Sequence, residues 1–348
     1  MRIVVDVMGG DHGCGVVIDG VKLALQAQPK ITALYLVGNQ SEIEAALTKS
    51  GLQDSRLQIV HASEVLTMED KPAQAVRRKR DASVSRAMDL VKEGKADAVI
   101  SPGNTGGIMA AAHLKLRTLP GVDRPGIATV IPTAENDFVL LDSGANIDSK
   151  PIHLAHYAVM GHVYSREMLG VKSPRVGILS VGSEETKGNE LTIEAFKLCK
   201  QLNINFIGNV EGYDLFRNRV DVVVCDGFVG NIVLKTMEGM AKGIFGWLKT
   251  ELNRTWKRKI GGLLAKDGFM VLKRRMDPEN SGGAPLLGLN GNVFKAHGSS
   301  RAKAITSAVR ISTETVQHQI NEIITREVAD ANQRLEAAKL TSQPVAAA

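Results

Sequence analysis

Residues 221–239 read DVVVCDGFVGNIVLKTMEG, and this stretch decides the fold. The run of β-branched valines at 222–224 is typical of a strand buried on both faces of a parallel sheet. We expect a tight turn over Gly227 and Gly230, followed by a helix with Asn231 as its N-cap. Unpaired backbone N–H groups at such a helix N-terminus form a binding site for an anion. The two glycines would also suit a turn that only reverses the chain.

Similar strand–loop–helix units recur along the chain. The apolar run at 98–100 leads into SPGNTGG at Ser101, and the run at 3–8 leads into the loop at 9–13. Strands and helices alternate, which predicts an α/β protein with a mostly parallel sheet and helices on both faces. Further strands are predicted at 33–37, 57–60, 128–131, 138–141, 176–180, 206–208 and 292–296.

Right-handed crossovers place the loops that follow parallel strands on one edge of the sheet. We therefore expect six loops to converge, and ligands of open α/β sheets bind at this edge. The loops carry glycines, amides, hydroxyls and few cations, a set that suits phosphate binding and stabilisation of an oxyanion. They lie at 10–11, 104–105, 142–146, 187–189, 209–211 and 227–231.

Length and composition describe an ordinary globular protein. The chain has 348 residues, of which 44% are hydrophobic and 23% charged. Its three cysteines are too few and too scattered for a disulfide framework or a cysteine zinc site. The N-terminus enters a strand pattern without a signal peptide, and no long apolar run predicts a membrane span. We expect a cytoplasmic protein with one α/β/α domain over residues 1–340 and a frayed tail over 341–348.

The positive charge is concentrated in one segment. The net charge is +6, yet residues 242–275 contain ten Lys and Arg against two Asp and Glu. The remainder is therefore slightly acidic, which argues against a general nucleic-acid binder. Apolar residues at helical spacing in this segment predict an amphipathic helical excursion over 240–280, interrupted at Gly261 and Gly262.

The excursion has two compatible interpretations, contact with an anionic membrane surface and packing in a dimer interface. A basic segment that also carries both tryptophans of the chain, Trp247 and Trp256, favours some membrane contact. The residues expected to touch lipid are Trp256, Ile260, Leu263 and Leu264.

Two smaller features have a functional and a structural interpretation. The block RRKR at 77–80 is either a solvated surface, which we favour, or a docking patch for an acidic partner or a phosphate group. His153 and His156 lie three apart on a predicted helix and would share a face. No third metal ligand is implied nearby, so we favour packing histidines over a metal site.

Several common chemistries lack their motifs. The sequence has no G-x-x-x-x-G-K-S/T, no G-x-G-x-x-G at the first helix, no H-E-x-x-H and no G-x-S-x-G. A nucleotide P-loop, ordinary dinucleotide binding, a zincin and a serine hydrolase are therefore not supported. The polar loops also supply no conventional activated nucleophile.

Eight motifs, in order along nearly the whole chain, resemble the bacterial phosphate acyltransferase family. They are MGGDHG at Met8, SPGNTGG at Ser101, LDSGAN at Leu141, EETKGNE at Glu184, NFIGNVEG at Asn205, DVVVCDGFVGN at Asp221, GGAPLLG at Gly282 and AHGSS at Ala296.

The resemblance implies transfer of a fatty acyl group from acyl carrier protein to inorganic phosphate. The acyl-phosphate product would serve a membrane glycerol-3-phosphate acyltransferase in phospholipid synthesis. The family has a Rossmann-like, three-layer α/β/α fold, similar to phosphotransacetylases and isocitrate-dehydrogenase-type enzymes. It is homodimeric and associates peripherally with the membrane, and no cofactor, metal or nucleic acid is expected.

Phosphate is already a competent nucleophile near neutral pH, so it needs positioning more than deprotonation. We expect Lys187 to neutralise phosphate or developing charge, and Asn231 and Asn209 to orient phosphate or the carbonyl oxygen. His297 would serve as acid for the leaving thiol. The residues expected to line the substrate and phosphate site are Asp11, Asn104, Thr105, Gly106, Asn146, Gly188, Gly227 and Gly230.

Three alternatives remain open. Cys225 invites a covalent acyl-enzyme, although no adjacent histidine activates it and strand cysteines are usually inert. A nicotinamide-dependent decarboxylating dehydrogenase of related fold predicts an NAD-dependent absorbance change. A membrane-bound scaffold that docks acyl carrier protein predicts binding without turnover. Either block, 77–80 or 257–259, has the charge to dock an acidic carrier.

Overall fold

A computed structural model describes residues 1–67, 69–276 and 282–342. The predicted tail falls mostly outside these ranges, since 343–348 are not among the described residues. The strands are β1 Arg2–Asp6, β2 Ala33–Gly38, β3 Leu57–His61, β4 Ala98–Ser101, β5 Gly126–Ile127, β6 Thr129–Ile131, β7 Phe138–Leu141, β8 Val176–Leu179, β9 Phe206–Val210, β10 Val222–Val224, β11 Ala284–Leu287 and β12 Asn292–Lys295.

Helices connect most of these strands. They are α1 Cys14–Ala27, α2 Gln40–Ser50, α3 Pro72–Arg78, α4 Ser83–Lys92, α5 Thr105–Lys115, α6 Pro151–Leu169, α7 Glu190–Cys199, α8 Gly227–Asn253, α9 Trp256–Leu264, α10 Lys266–Arg275, α11 Ala302–Gln317 and α12 Ile320–Ser342, with a 3₁₀ turn at Asp214–Phe216.

The strands of the described ranges form two sheets. One has the order β3-β2-β1-β4-β12-β11-β5, and the other has the order β6-β7-β10-β8-β9. Only the pairs made by β11 and the pair β6–β7 are antiparallel. The predicted α/β class with mostly parallel strands is confirmed, and its strands are divided between two sheets.

Both sheets are covered on their faces by helices. In β1 the side chains of Ile3 and Val5 pack with α1 and α11, while Val4 packs on the opposite face with α4 and α5. In the other sheet, Val222 and Val224 of β10 pack against the long buried helix α6. Burial on both faces explains why these strands read as unbroken apolar runs instead of alternating patterns.

The helix after β10 begins earlier than the sequence pattern indicated. Asp226 is its N-cap, and Asp226 Oδ1 accepts the backbone N–H groups of Phe228 at 2.9 Å and Val229 at 3.0 Å. The predicted tight turn over Gly227 and Gly230 and the predicted cap at Asn231 are therefore wrong. An ionised carboxylate is a strong cap, and it satisfies the first turn before Asn231 is reached.

The excursion consists of α8, α9 and α10. The helical path breaks at 254–255, where Thr255 Oγ1 accepts the N–H of Arg258 and caps α9. The predicted interruption at Gly261 and Gly262 is wrong, because both lie inside α9 and Gly262 lets the helix approach Leu252.

Large apolar side chains of the excursion are solvent-exposed, with Trp256 68% and Leu264 83% exposed. Across the described residues, no helix combines the length and the apolarity needed to cross a bilayer.

Candidate active site

The buried carboxylate of Asp142, directly after β7, joins the two sheets. Its oxygens accept backbone N–H groups from Ile127 at 2.9 Å, Gly144 at 3.1 Å, Ala145 at 2.9 Å and Asn146 at 2.7 Å. Ile127 belongs to β5 of the larger sheet, whereas Asp142 ends a strand of the smaller one. Because the carboxylate holds groups from both, it fixes one sheet edge against the other.

The glycines of α8 are required by close packing on this junction. A Cβ on Gly227 would lie 2.6 Å from the Asn146 carbonyl oxygen, and a Cβ on Gly230 would overlap the Asp142 carbonyl oxygen. The next residue, Asn231, is exposed beside Gly144, whose built Cβ would lie 3.4 Å from Asn231 Oδ1. The predicted grouping of the loops after β7 and β10 is therefore observed.

Asn146 belongs to the junction itself. Its Nδ2 donates hydrogen bonds to the Pro125 carbonyl and to Tyr157 Oη. These contacts hold the loop in position, so Asn146 has a structural role. Its contact with substrate stays a prediction.

The loops after β1, β4 and β12 form a second group at the edge of the larger sheet. The N–H of Asp11 donates to the carbonyl of Gly298 at 2.9 Å, next to His297. Asn104 caps α5 by accepting the Gly107 N–H at 3.1 Å, so Thr105 and Gly106 form the first turn of this helix. Five predicted site residues, Asp11, Asn104, Thr105, Gly106 and His297, are therefore neighbours around one helix N-terminus, the usual location of a bound anion.

A buried carboxylate supports this second group, and the sequence analysis missed it. Asp6, only 1% exposed, accepts a hydrogen bond from Ser101 Oγ at 2.7 Å, and Ser101 Oγ accepts the N–H of Gly103 at 3.1 Å. Burial raises the pKa of Asp6, and its hydrogen bonds oppose that effect. The signal was present, since both β1 and β4 end in a polar residue after an apolar run.

The sequence analysis also missed Lys295 at the end of β12. Lys295 is in register with Ser101 of the parallel neighbour β4, so both side chains leave the same face of the sheet. Lys295 is partly buried, and its ammonium makes no hydrogen bond or ion pair within the described part of the chain. Burial and the nearby Lys235 of α8 lower the pKa of Lys295. Lys235 itself pairs with Glu238 at 2.9 Å.

The imidazole of His297 has a defined neutral form. Nδ1 accepts the backbone N–H of Ser299 at 3.2 Å, and Ser299 Oγ lies 2.8 Å from the same nitrogen. The neutral ring therefore carries its proton on Nε2. Partial burial, Lys295 and Lys235 lower the pKa of His297, which keeps it neutral at pH 7. His297 thus offers an Nε2–H hydrogen-bond donor.

A third group surrounds Lys187 in the loop after β8. Asn209 is 4% exposed, and its Nδ2 donates to the carbonyls of Glu184 at 2.8 Å and Lys187 at 3.4 Å. Ser180 Oγ donates to the Lys187 carbonyl at 3.2 Å. Asn209 therefore holds the loop that carries Lys187 and Gly188, and its proposed contact with substrate stays a prediction.

The ammonium of Lys187 is available to a ligand. Its side chain is exposed and has no ion pair within the residues that the structure describes. In the smaller sheet, β10 lies between β7 and β8. The Asp142 junction after β7 therefore separates this third group from the N-terminus of α5. The six predicted loops therefore do not share one sheet edge: those after β1 and β4 lie at the edge of the larger sheet, those after β7, β8, β9 and β10 lie at the edge of the smaller one, and Asp142 links the two edges.

Cys225 is a buried, structural residue. It is 2% exposed, and its thiol donates to the Asp142 carbonyl oxygen at 3.7 Å. Burial, followed by the negative charges of Asp142 and Asp226, raises the pKa of Cys225 well above its usual value. Since the thiolate is the nucleophile, this environment opposes a covalent acyl-enzyme.

His153 and His156 of α6 are packing residues. His153 Nε2 lies 2.8 Å from Asp123 Oδ2, and His156 Nε2 lies 2.9 Å from Asn332 Oδ1. Both side chains are buried. Within residues 1–67, 69–276 and 282–342, no group of three or more His, Cys, Asp and Glu is placed to hold a metal ion.

Sequence comparison relates the chain to a known protein family. A family model described as "Fatty acid synthesis protein" matches residues 1–323. The phosphate acyltransferase of Pelotomaculum thermopropionicum is 46% identical over 324 residues, which cover 93% of this chain and 94% of that protein. The phosphate acyltransferase of Desulforamulus reducens is 48% identical over 320 residues, covering 91% of this chain and 94% of that protein.

Solved structures confirm the fold. A phosphotransacetylase from Streptococcus pyogenes superposes with a TM-score of 0.62 at 19% identity, covering 91% of this chain and 94% of that chain. The EutD phosphotransacetylase from Staphylococcus aureus superposes with a TM-score of 0.57 at 17% identity, with coverages of 91% and 94%. The expected Rossmann-like α/β/α architecture, similar to phosphotransacetylases, is therefore present.

The lowered pKa of His297 predicts a specific pH dependence of stability. The unfolded chain binds the proton near pH 6.5, whereas the folded chain binds it only at lower pH. Stability is therefore present above about pH 6.5 and is lost as the pH falls through this window. When the pH is lowered from 7.5 to 5.5, the free energy of unfolding should fall less in His297→Asn than in the wild type. Urea titration at each pH measures this quantity.

His113→Asn, at an exposed position on α5, is the matched control and should follow the wild-type profile. Parallel profiles for His297→Asn and the wild type would contradict the electrostatic environment assigned to His297.

Proposed function

The chain belongs to the phosphate acyltransferase family and is an acyltransferase, and we propose that it moves a fatty acyl group from acyl carrier protein to inorganic phosphate. The product, an acyl-phosphate, would be used by a membrane glycerol-3-phosphate acyltransferase in phospholipid synthesis. One observation carries the proposal: Lys295, which has no ion pair in the described part of the chain, lies in register with Ser101 at the end of β4, and the loop after β4 leads into the N-terminal turn of α5. A positive charge close to a helix N-terminus favours the binding of an anion.

Phosphate binds at the edge of the larger sheet in this proposal. The backbone N–H groups at the start of α5 and the positive end of its dipole face the anion. Lys295 supplies a formal charge, and charge-assisted hydrogen bonds of this kind are about twice as strong as neutral ones. Because burial and Lys235 lower the pKa of Lys295, and burial, Lys295 and Lys235 lower the pKa of His297, a bound anion would offset the positive charge gathered here.

The carbonyl group of the acyl thioester faces the loops of the smaller sheet. Asn231 stands exposed beside Gly144 and orients the carbonyl oxygen with its amide. Lys187 neutralises the charge that develops on this oxygen or on phosphate. Donors placed where charge develops usually supply the largest single contribution to such reactions.

The reaction needs no nucleophile from the protein. A phosphate oxygen attacks the thioester carbonyl carbon, a C–O bond forms, and the carbonyl electrons move onto oxygen. Collapse of this oxyanion restores the carbonyl and breaks the C–S bond. The proton of hydrogen phosphate ends on the departing thiolate, which gives acyl-phosphate and free thiol. The neutral His297 donates its Nε2–H hydrogen bond to the sulfur during departure; this replaces the net proton donation expected from the sequence.

The excursion α8–α10 carries the remaining part of the proposal. Its basic residues surround exposed apolar side chains, and Lys257 Nζ lies 5.7 Å from the ring centroid of Trp256. Such a combination suits the surface of an anionic bilayer. We propose peripheral membrane contact through Trp256, Ile260, Leu263 and Leu264, and a homodimer formed along the apolar side of α8.

Acyl carrier protein thioester incubated with phosphate should yield acyl-phosphate and free thiol in equal amounts. Lys187→Ala removes a positive charge that stabilises the transition state, so its kcat/KM should be about 10²-fold lower than that of the wild type. Lys197→Ala, which removes an exposed lysine of α7, is the control and should retain the wild-type rate. Thiol release and hydroxamate formation from the acyl-phosphate measure the two products.

Three outcomes would contradict the proposal. A folded Lys187→Ala variant with the normal rate would remove its electrostatic role. Acyl exchange between thiols in the absence of phosphate would indicate an acyl-enzyme. Carrier binding without any turnover would leave only a scaffold.

Sedimentation with anionic liposomes tests the membrane contact. The double variant Trp256→Asp/Leu263→Asp should stay in the supernatant at physiological salt, because it places two charges in the interfacial layer. Leu23→Asp, at an exposed apolar position of α1, should sediment like the wild type. Unchanged sedimentation of the double variant would assign these residues to a protein interface.

A further inference from the structure

We propose that the exposed basic side of α3 is the surface on which the acidic acyl carrier protein docks. This α3 basic face consists of Lys71, Arg77, Arg78 and Arg80, all exposed. The proposal rests on the proposed function and identifies the surface that this function needs. The sequence left two basic blocks as candidates, and the structure distinguishes them by their distance from the site.

Helix α3 lies directly over the loops of the candidate site. At its start, Pro72 packs on Gly106, whose built Cβ would lie 2.7 Å from Pro72 Cγ. After its end, the chain turns into α4, where Ser83 lines a small buried pocket with Asp6 and Gly103. Both ends of α3 are therefore anchored at the loops that follow β1 and β4.

The helix is held rigidly on its inner side. Ala75 and Val76 are buried against the core below α3. Lys79 Nζ donates to the Val65 carbonyl at 2.9 Å and pairs with Asp70 at 2.6 Å. This anchoring occupies one lysine of the block, and it fixes the direction of the remaining basic side chains.

The basic side chains that point outward retain their charge for a partner. Arg77 and Arg80 make no ion pair within the described residues, and Arg78, with 78% of its side chain exposed, lies 4.0 Å from Asp70. The nearby acid Asp81 is paired with Arg86 at 2.6 Å. The α3 basic face is therefore a positive surface on which Arg77 and Arg80 are unpaired and only Arg78 contacts a local acid.

The prosthetic arm of a carrier can reach the site from this face. A helix with its side chains is about 10–12 Å across, so the α3 basic face lies about one helix diameter from the α5 N-terminus. A phosphopantetheine arm extends about 15–20 Å, similar to five extended residues. A carrier seated on α3 thus places its thioester at the phosphate site.

The other basic block is too remote for the same arm. It begins on α9, beyond the end of α8, and the path along α8 from Asn231 to Asn253 is about 33 Å long at 1.5 Å per residue. Its Arg258 also pairs with Glu251. Residues 257–259 therefore serve a function other than presenting the thioester.

Electrostatic docking predicts a defined kinetic signature. Complementary charge raises the rate of encounter and weakens with salt, while it leaves the chemical step unchanged. The double variant Arg77→Glu/Arg78→Glu should raise KM for acyl carrier protein thioester about tenfold or more, with little change in kcat. It should react normally with an acyl-pantetheine thioester, which has the arm and lacks the protein.

The control variant Lys257→Glu/Lys259→Glu carries the same change of charge and should keep the wild-type KM for the carrier in the absence of vesicles. The kcat/KM of the wild type for the carrier should fall steeply with salt, and that of the α3 variant should be less sensitive. The milder variant Arg77→Ala/Arg78→Ala should show a smaller rise in KM in the same direction.

Several results would overturn the docking proposal. These are an unchanged KM for the carrier in both α3 variants, an equal loss with acyl-pantetheine, or an equal loss in the control variant. If the wild type makes no acyl-phosphate from either substrate, the proposed function fails and the docking proposal fails with it. Normal turnover of both substrates by every variant would contradict the docking proposal and leave the proposed function intact.

Discussion

The arrangement of the site depends on the buried carboxylate of Asp142. A buried, ionised carboxylate without partners is very costly, so its oxygens must be met by donors. The donors are backbone N–H groups from Ile127 of β5 and from the loop that follows Asp142 itself. Because these groups belong to two different sheets, satisfying one carboxylate fixes the edge of each sheet against the other. The α8 glycines then allow the helix to pack on this loop without steric conflict.

Charge is divided between support and ligand binding. The buried acids Asp6 and Asp142 are occupied by hydroxyl and backbone donors, and they hold the loops in place. The lysines Lys187 and Lys295 have no ion pair in the described part of the chain. Buried carboxyl groups thus hold the loops in place, while the two lysines stay available at the crevice. This division is compatible with the phosphate site that we propose.

Much of the fold could be predicted from local patterns. The valines of β10, the apolar runs of β1 and β4 and the alternation of strands with helices depend on near neighbours in the sequence. The division into two sheets could not be predicted in this way, because it depends on pairing between strands that are distant in sequence. For example, β12 lies beside β4, with Val293 in register with Val99. Nothing in either strand indicates that partner, since the central residues of both are apolar and buried on both faces.

The site was predicted in part, for similar reasons. The closeness of Gly227, Gly230 and Asn146 follows from neighbouring parallel strands. The cap at Asp226 was missed because Asn231 also fits an N-cap, and only the packing of the helix on the Asp142 loop decides between them. The support that Asn209 Nδ2 gives to the Lys187 loop comes from tertiary hydrogen bonds, which no local pattern indicates, and its contact with substrate stays a prediction. Lys295 was missed because its environment comes from β4 and α8, which are distant in sequence.

The proposed reaction depends on inorganic phosphate held between the N-terminal turn of α5 and the loop after β12. Hydrogen–deuterium exchange of the wild-type protein, with and without inorganic phosphate, measures this binding. Residues 103–107 and 295–298 should exchange more slowly, with the same dependence on phosphate concentration. Protection of only one of these two segments, or no protection at saturating phosphate, would contradict phosphate binding at this edge.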